Sequence, residues 1–132
     1  MTQEEKDLLL RDICSRLPYG VKLQKTYDTS EPAELYSIDL EHRIVKFYKY
    51  KGEALTICDA GFIERYGKLR FKLYLFPLSS MTEEQEKEWR YTLSSDGNIT
   101  YDTVDWCNEN HLDYRGLIEK GLAIDATNLN IY

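Results

Sequence analysis

The chain has 132 residues, of which 42% are hydrophobic and 30% charged, and its net charge is −6. That is one domain's length with ordinary globular composition, and folding buries roughly two thirds of the unfolded surface, enough for one good core. The balance is unfavourable for phosphate backbones, no apolar run is long enough to span a bilayer, and residues 1–7 open too acidic and polar for a signal peptide.

Taken in chain order, Thr2 and Glu5 form a Thr-x-x-Glu capping box, and Leu9, Leu10, Ile13, Cys14 and Leu17 follow at helical spacing until Pro18. A helix over residues 3–17 is predicted, with Lys6, Arg11 and Arg16 outside its apolar stripe. Val21 and Leu23 alternating with Lys22 and Gln24 predict a strand over 21–27. Thr29-Ser30-Glu31-Pro32 reads as a loop, and 35–40 as a strand with Tyr36, Ile38 and Leu40 on one face. Glu41-His42 is a turn into a strand over 43–50, where Val45 and Phe47 oppose Lys46 and Tyr48. Lys51-Gly52 is the next turn, 54–58 a short strand, and 62–67 is open between strand and turn.

The cleanest strand is 69–76. Leu69, Phe71, Leu73 and Leu75 share one face; Arg70, Lys72 and Tyr74 share the other; Pro77 ends the ladder. Ser80-x-x-Glu83 and Thr82-x-x-Gln85 are overlapping capping boxes for a helix to about Leu93, anchored by Trp89 and Leu93, with Glu83, Glu84, Glu86 and Glu88 in water. Asp96-Gly97 is a turn, 99–101 a short strand, and Asp102 or Thr103 the cap of another short helix. Residues 114–120 predict one more helical turn closed by Gly121. Strands grouped between helices predict an α+β domain: a mainly antiparallel sheet of four to five strands flanked by an N-terminal helix and two to three short C-terminal helices. The apolar stretch 113–132 is expected to dock on its own core and close residues 1–132 as a single domain.

Charge is distributed unevenly. Residues 43–72 carry 8 bases and 3 acids, whereas residues 82–113 carry 9 acids and 2 bases. An electropositive sheet face and an electronegative helical face can therefore coexist. Cys14, Cys58 and Cys107 fit neither a disulfide framework nor a zinc signature, so buried free thiols in a reducing compartment are expected.

No phosphate-cradling, nucleophile-elbow, zincin or EF-hand motif is present, and neither a catalytic residue, a metal nor a cofactor is expected. His42 reads as a solvated turn residue and His111 as a cationic helix C-cap. Asp102, Asp105, Glu109, His111 and Asp113 are the densest group of possible ligands for a hard cation and would support a small metal-dependent hydrolase. Read plainly, they are a solvated acidic helix. Lys and aromatics interleave over 43–51, and with the strand at 69–76 they nominate a binding face of Lys46, Tyr48, Tyr50, Arg70, Lys72 and Tyr74. Such a face suits a protein partner, because interfaces favour Tyr and Arg. It also suits nucleic acid, which the net charge disfavours.

At SSMTEEQ (79–85), TVDW (103–106) and DYRGLIEKGLAID (113–125), and in the opening EEKDLLLRDICSRLPYGVKL (4–23), the chain resembles small uncharacterised proteins encoded by phages and mobile elements of gut anaerobic bacteria. The resemblance covers about residues 1–24 and 76–132. It implies a bacterial cytoplasmic setting and no reaction. The resulting expectation is a non-enzymatic accessory protein that binds a bacterial host protein.

Overall fold

The computed structural model describes the backbone of residues 2–26, 28–42, 44–49, 53–58, 64–65 and 68–132, and the side chains of residues 2–26, 32–42, 44–47 and 68–132. The first capping box forms as the sequence predicts. Thr2 Oγ1 accepts from Glu5 N at 3.1 Å, the Glu5 carboxylate accepts from Thr2 N at 3.3 Å, and helix α1 runs over Gln3–Arg16. Its buried face is Leu9, Asp12, Ile13 and Arg16, spaced i, i+3, i+4, i+7. This corrects two expectations. Arg16 is fully buried rather than outside the stripe, and Cys14 is exposed while Cys107 is buried. Cys58 has its side chain outside the described residues.

Six strands form one sheet in the order β4-β3-β2-β1-β7-β8: β1 (Lys22–Lys25), β2 (Asp28–Asp39), β3 (Ile44–Lys49), β4 (Glu53–Cys58), β7 (Phe71–Leu75) and β8 (Ala123–Asp125). Two-residue strands β5 (Glu64–Arg65) and β6 (Lys68–Leu69) make a separate ladder. Among the described strands every pairing is antiparallel except β7 with β8, and beyond β7 an isolated parallel bridge joins Phe76 to Leu112. Two helices follow the sheet's fifth strand, α2 (Glu83–Thr92) and α3 (Tyr101–Glu109). The class is α+β, with the sixth strand supplied by the C-terminal segment. No helix among the described residues is long and apolar enough to cross a membrane.

One sheet face carries the core. Leu9 and Ile13 of α1 pack with Val21, Leu23, Ala33, Leu35, Val45, Phe47, Phe71, Leu73 and Leu75, and Phe47 meets Phe71 edge to face at 5.4 Å. The C-terminal segment adds Leu117, Leu122 and Ala123 to the same core.

Strand β2 departs from the sequence reading twice. It runs through Thr29–Pro32, expected as a loop, because β1 and β2 slip register there and a proline without an N–H is tolerated at a bulge. A second irregularity at Tyr36, between the Leu35↔Phe47 and Ser37↔Lys46 pairs, inverts the alternation. Leu35 and Ile38 therefore face the core side, while Tyr36 and Leu40 are exposed. At the other end of the chain, residues 99–101 are not a strand. Ile99 lies in the open, and Thr100 caps α3 in place of Asp102 or Thr103. Residues 114–120 form successive turns, not a helix, ending at Gly121 with φ 72°.

Tyr132 stitches the sheet. Its hydroxyl accepts from Lys22 N at 2.7 Å and donates to Tyr74 O at 2.8 Å, bridging β1 and β7 where their direct pairing ends. Tyr132→Phe keeps the ring and leaves both backbone groups without this partner. A loss of about 1 kcal/mol is expected, read as a shift of the urea midpoint at unchanged slope. An unmoved midpoint means solvent replaces the hydroxyl at no cost.

Candidate interaction surface

The face nominated from sequence does not assemble as one exposed patch in the parts described. Lys46 and Lys72 are half-buried, facing Ser37 and Gln24 across their strands. Arg70 sits half-buried at the bend before β7, where its carbonyl accepts from Thr26 N at 2.9 Å. Tyr74 is corrected outright: it is 6% exposed. The C-terminal segment runs beside it: Tyr74 pairs with Ile124 of β8, and its carbonyl accepts from the Tyr132 hydroxyl. Tyr48 lies in β3 opposite Glu34 and Ala54, with its side chain outside the described residues. Tyr50 lies outside them entirely.

The acidic set separates as well. Asp102, Asp105 and Glu109 remain on the exposed side of α3. Asp113 is buried and spends both carboxylate oxygens on backbone, accepting from Leu117 N at 2.8 Å and Ile118 N at 2.9 Å. The His111 ring stacks on Tyr132 at 3.8 Å. Its position after α3 is as expected, with φ 57°, but not its charge. Burial, then the Arg16 and Lys22 cations, push its pKa down to about 4, so it is a neutral ring and not a cationic cap. Among the described residues no three His, Cys, Asp or Glu side chains are grouped to hold a metal. His42, as expected, is an exposed turn residue, its Nδ1 2.8 Å from Asp39 Oδ2. That contact and the His42 backbone N–H hold the Asp39 carboxyl below its ordinary range.

Sequence reasoning missed a buried ionic cluster. Asp12 and Arg16 are both fully buried, with Arg16 Nε 2.8 Å from Asp12 Oδ2, and Arg115 Nε lies 3.2 Å from Asp12 Oδ1. Arg16 Nη2 also donates to Leu112 O at 2.7 Å. Both guanidiniums lie against the Tyr114 ring, at 5.1 and 4.9 Å from its centre. Burial raises the Asp12 carboxyl against the pull of the two arginines. The readable signal was the i, i+4 acid–base pair in phase with Leu9 and Ile13. The cluster ties α1 to the segment leaving α3.

Among the described residues the most exposed large apolar side chains lie on and between the two C-terminal helices. Helix α2 has a reciprocal capping box, Thr82 with Gln85, and no buried residue. It is held to α3 by polar bonds: Trp106 Nε1 donates to Glu88 Oε2 at 3.2 Å, and Thr92 O accepts from the hydroxyls of Thr100 and Thr103 at 2.8 and 3.0 Å. Those last two bonds bring the end of α2 against the start of α3. Tyr91 adjoins Thr92, and Ile99 and Tyr101 flank Thr100. The three are 90%, 67% and 92% exposed, gathered at one end of the helical pair. The helices that carry them are mainly acidic: Glu88 lies i−3 from Tyr91 and Asp105 i+4 from Tyr101, with Glu84 and Glu109 about two turns away, while exposed Lys87 at i−4 and Arg90 beside Tyr91 are the bases among them. A cavity of about 190 Å³ lies apart from this end, lined by Phe76, Ser80, Gln85, Leu112, Thr127 and Asn128. It is below the roughly 300–1,000 Å³ of ordinary ligand sites, and its Ser80 and Gln85 side chains are already bonded to Pro77 O and Thr82 N.

No model of a known protein family matches the chain, and no curated protein or solved structure matches it either.

Proposed function

We propose that this protein works by binding another protein and performs no catalysis of its own, and that the α2–α3 end is the surface it uses. The observation carrying this reading is the near-complete exposure of Tyr91 and Tyr101, with Ile99 between them in sequence. Aromatic side chains contribute most as interface anchors because they bring large area at low entropic cost. Leaving three large side chains in water at one place costs solubility and adds nothing to the fold. The resemblance to phage- and mobile-element-encoded proteins makes a bacterial host protein the expected partner.

The test is affinity capture from bacterial lysate with the wild-type chain and with Tyr91→Ser/Tyr101→Ser, each with and without nuclease. Both tyrosines are exposed, so the double variant is expected to keep its stability within about 0.5 kcal/mol. One near-stoichiometric protein, resistant to nuclease and lost from the variant, is the expected result. Recovery only of nucleic-acid-associated proteins, lost on nuclease treatment, overturns the reading.

A further inference from the structure

We infer that the partner presents a lysine- or arginine-rich segment carrying apolar side chains, and that the α2–α3 end grips it through Tyr91, Ile99 and Tyr101 within an acidic surround. This rests on the reading of that end as a docking surface and adds the chemistry of what docks there.

The argument is charge complementarity around apolar anchors. Residues 82–113 hold 9 acids against 2 bases. On the described surface Glu83, Glu84, Glu86, Glu88, Asp96, Asp102, Asp105 and Glu109 are all exposed, eight acids against exposed Lys87 and Arg90. The potential set up by those acids attracts cations and repels polyanions. Nucleic acid meets like charge here, and so does the same face of a second copy. A cationic segment gains electrostatic steering to the site. Its apolar residues then supply the desolvated contact that Tyr91, Ile99 and Tyr101 lack in the free protein. Three of the acids on α2, Glu83, Glu84 and Glu86, lie in its first turn, where the helix dipole favours them. Two tryptophans are present in the chain, Trp89 on α2 and Trp106 on α3. Both are half-buried in the helical pair that would be covered.

Their emission gives a built-in readout. The intact chain is titrated with four probes: a short peptide of alternating lysine and leucine, its glutamate–leucine counterpart, a lysine–serine peptide without apolar residues, and single-stranded DNA. The expected result is a shift of tryptophan emission by the lysine–leucine peptide at an affinity at least about tenfold tighter than by the other three. That affinity should fall as salt rises. It should weaken about tenfold in Tyr91→Ser/Tyr101→Ser and severalfold in Asp105→Asn/Glu109→Gln.

Equal binding of the glutamate–leucine peptide, or of DNA, overturns the inference. So does binding that neither double variant weakens. Sedimentation without any probe checks the remaining occupant: self-association abolished by Tyr91→Ser/Tyr101→Ser makes a second copy the partner and also overturns it. Failure here is separable from failure of the broader reading. A captured partner lost from the tyrosine variant, alongside a silent lysine–leucine peptide, removes the cationic segment and keeps the docking surface. A captured partner retained by that variant removes both.

Discussion

Replacing Asp12 with alanine is expected to cost about 3–5 kcal/mol, the range for removing one member of a buried charged group. The reason is asymmetry. Both Asp12 and Arg16 are fully buried, and burial alone raises the Asp12 carboxyl, so the assembled pair is not a large source of stability in itself. Removing the acid is a different matter. It leaves the Arg16 guanidinium in the interior with, among the described residues, Leu112 O and the Tyr114 face beside it, and it releases Arg115, whose side chain is 24% exposed and can turn to water. The double variant Asp12→Ala/Arg16→Met takes away the stranded charge and is expected to regain much of the loss. Chemical denaturation of the four chains of this cycle measures the coupling. A loss below about 1 kcal/mol for Asp12→Ala means that Arg16 reaches solvent.

That cluster also shows where sequence reading stops. Local rules were legible. Thr2 with Glu5 and Thr82 with Gln85 announced two helix starts. Period-two alternation announced Val45 and Phe47, and Phe71, Leu73 and Leu75, as core. These signals depend on residues a few positions apart. Arg16 was assigned to water because its hydropathy says so, and its burial is decided by Leu112, Tyr114 and Arg115, about a hundred residues later. Tyr74 was placed on a wet face for the same reason. Its strand alternates as read, yet Tyr74 is buried at the point where the C-terminal segment returns beside it, Ile124 pairing with it and Tyr132 bonding its carbonyl.

The bulge at Tyr36 is a third kind of failure. One extra residue turned a correctly recognised strand over, and composition at that position does not distinguish the two registers. The interaction surface was half visible. The acidity of residues 82–113 was plain from sequence. The exposure of Ile99 and Tyr101 was not, because a short strand was expected there, and a capping threonine started a helix instead.

The second large effect concerns pH. His111 has an ordinary value of 6.5 and is pushed down to about 4 by burial, with Arg16 and Lys22 adding to it. Between those values the unfolded chain binds a proton that the folded chain refuses. Stability therefore rises with pH across this window. It is fully present above about pH 6.5 and is lost as pH falls toward 4; below that both states are protonated and the loss stops growing. The gap between the two values corresponds to at most about 3–4 kcal/mol. The ring is partly open to solvent, which brings the expected loss to about 2 kcal/mol. Structurally, the proton would charge a ring stacked at 3.8 Å on Tyr132, the residue whose hydroxyl bridges β1 and β7. Acid should therefore loosen the C-terminal segment first, and amide exchange at Lys22, whose N–H donates to Tyr132, and at Ala126, whose N–H donates to Leu75 O, should report it. His111→Asn is the matched control, because asparagine tolerates the left-handed backbone at that position and does not titrate. The variant loses the stacking contact and starts lower at neutral pH, but its stability should fall less between 6.5 and 4, so that the two curves converge on acidification. Parallel curves would assign the acid sensitivity to the carboxylates and not to His111.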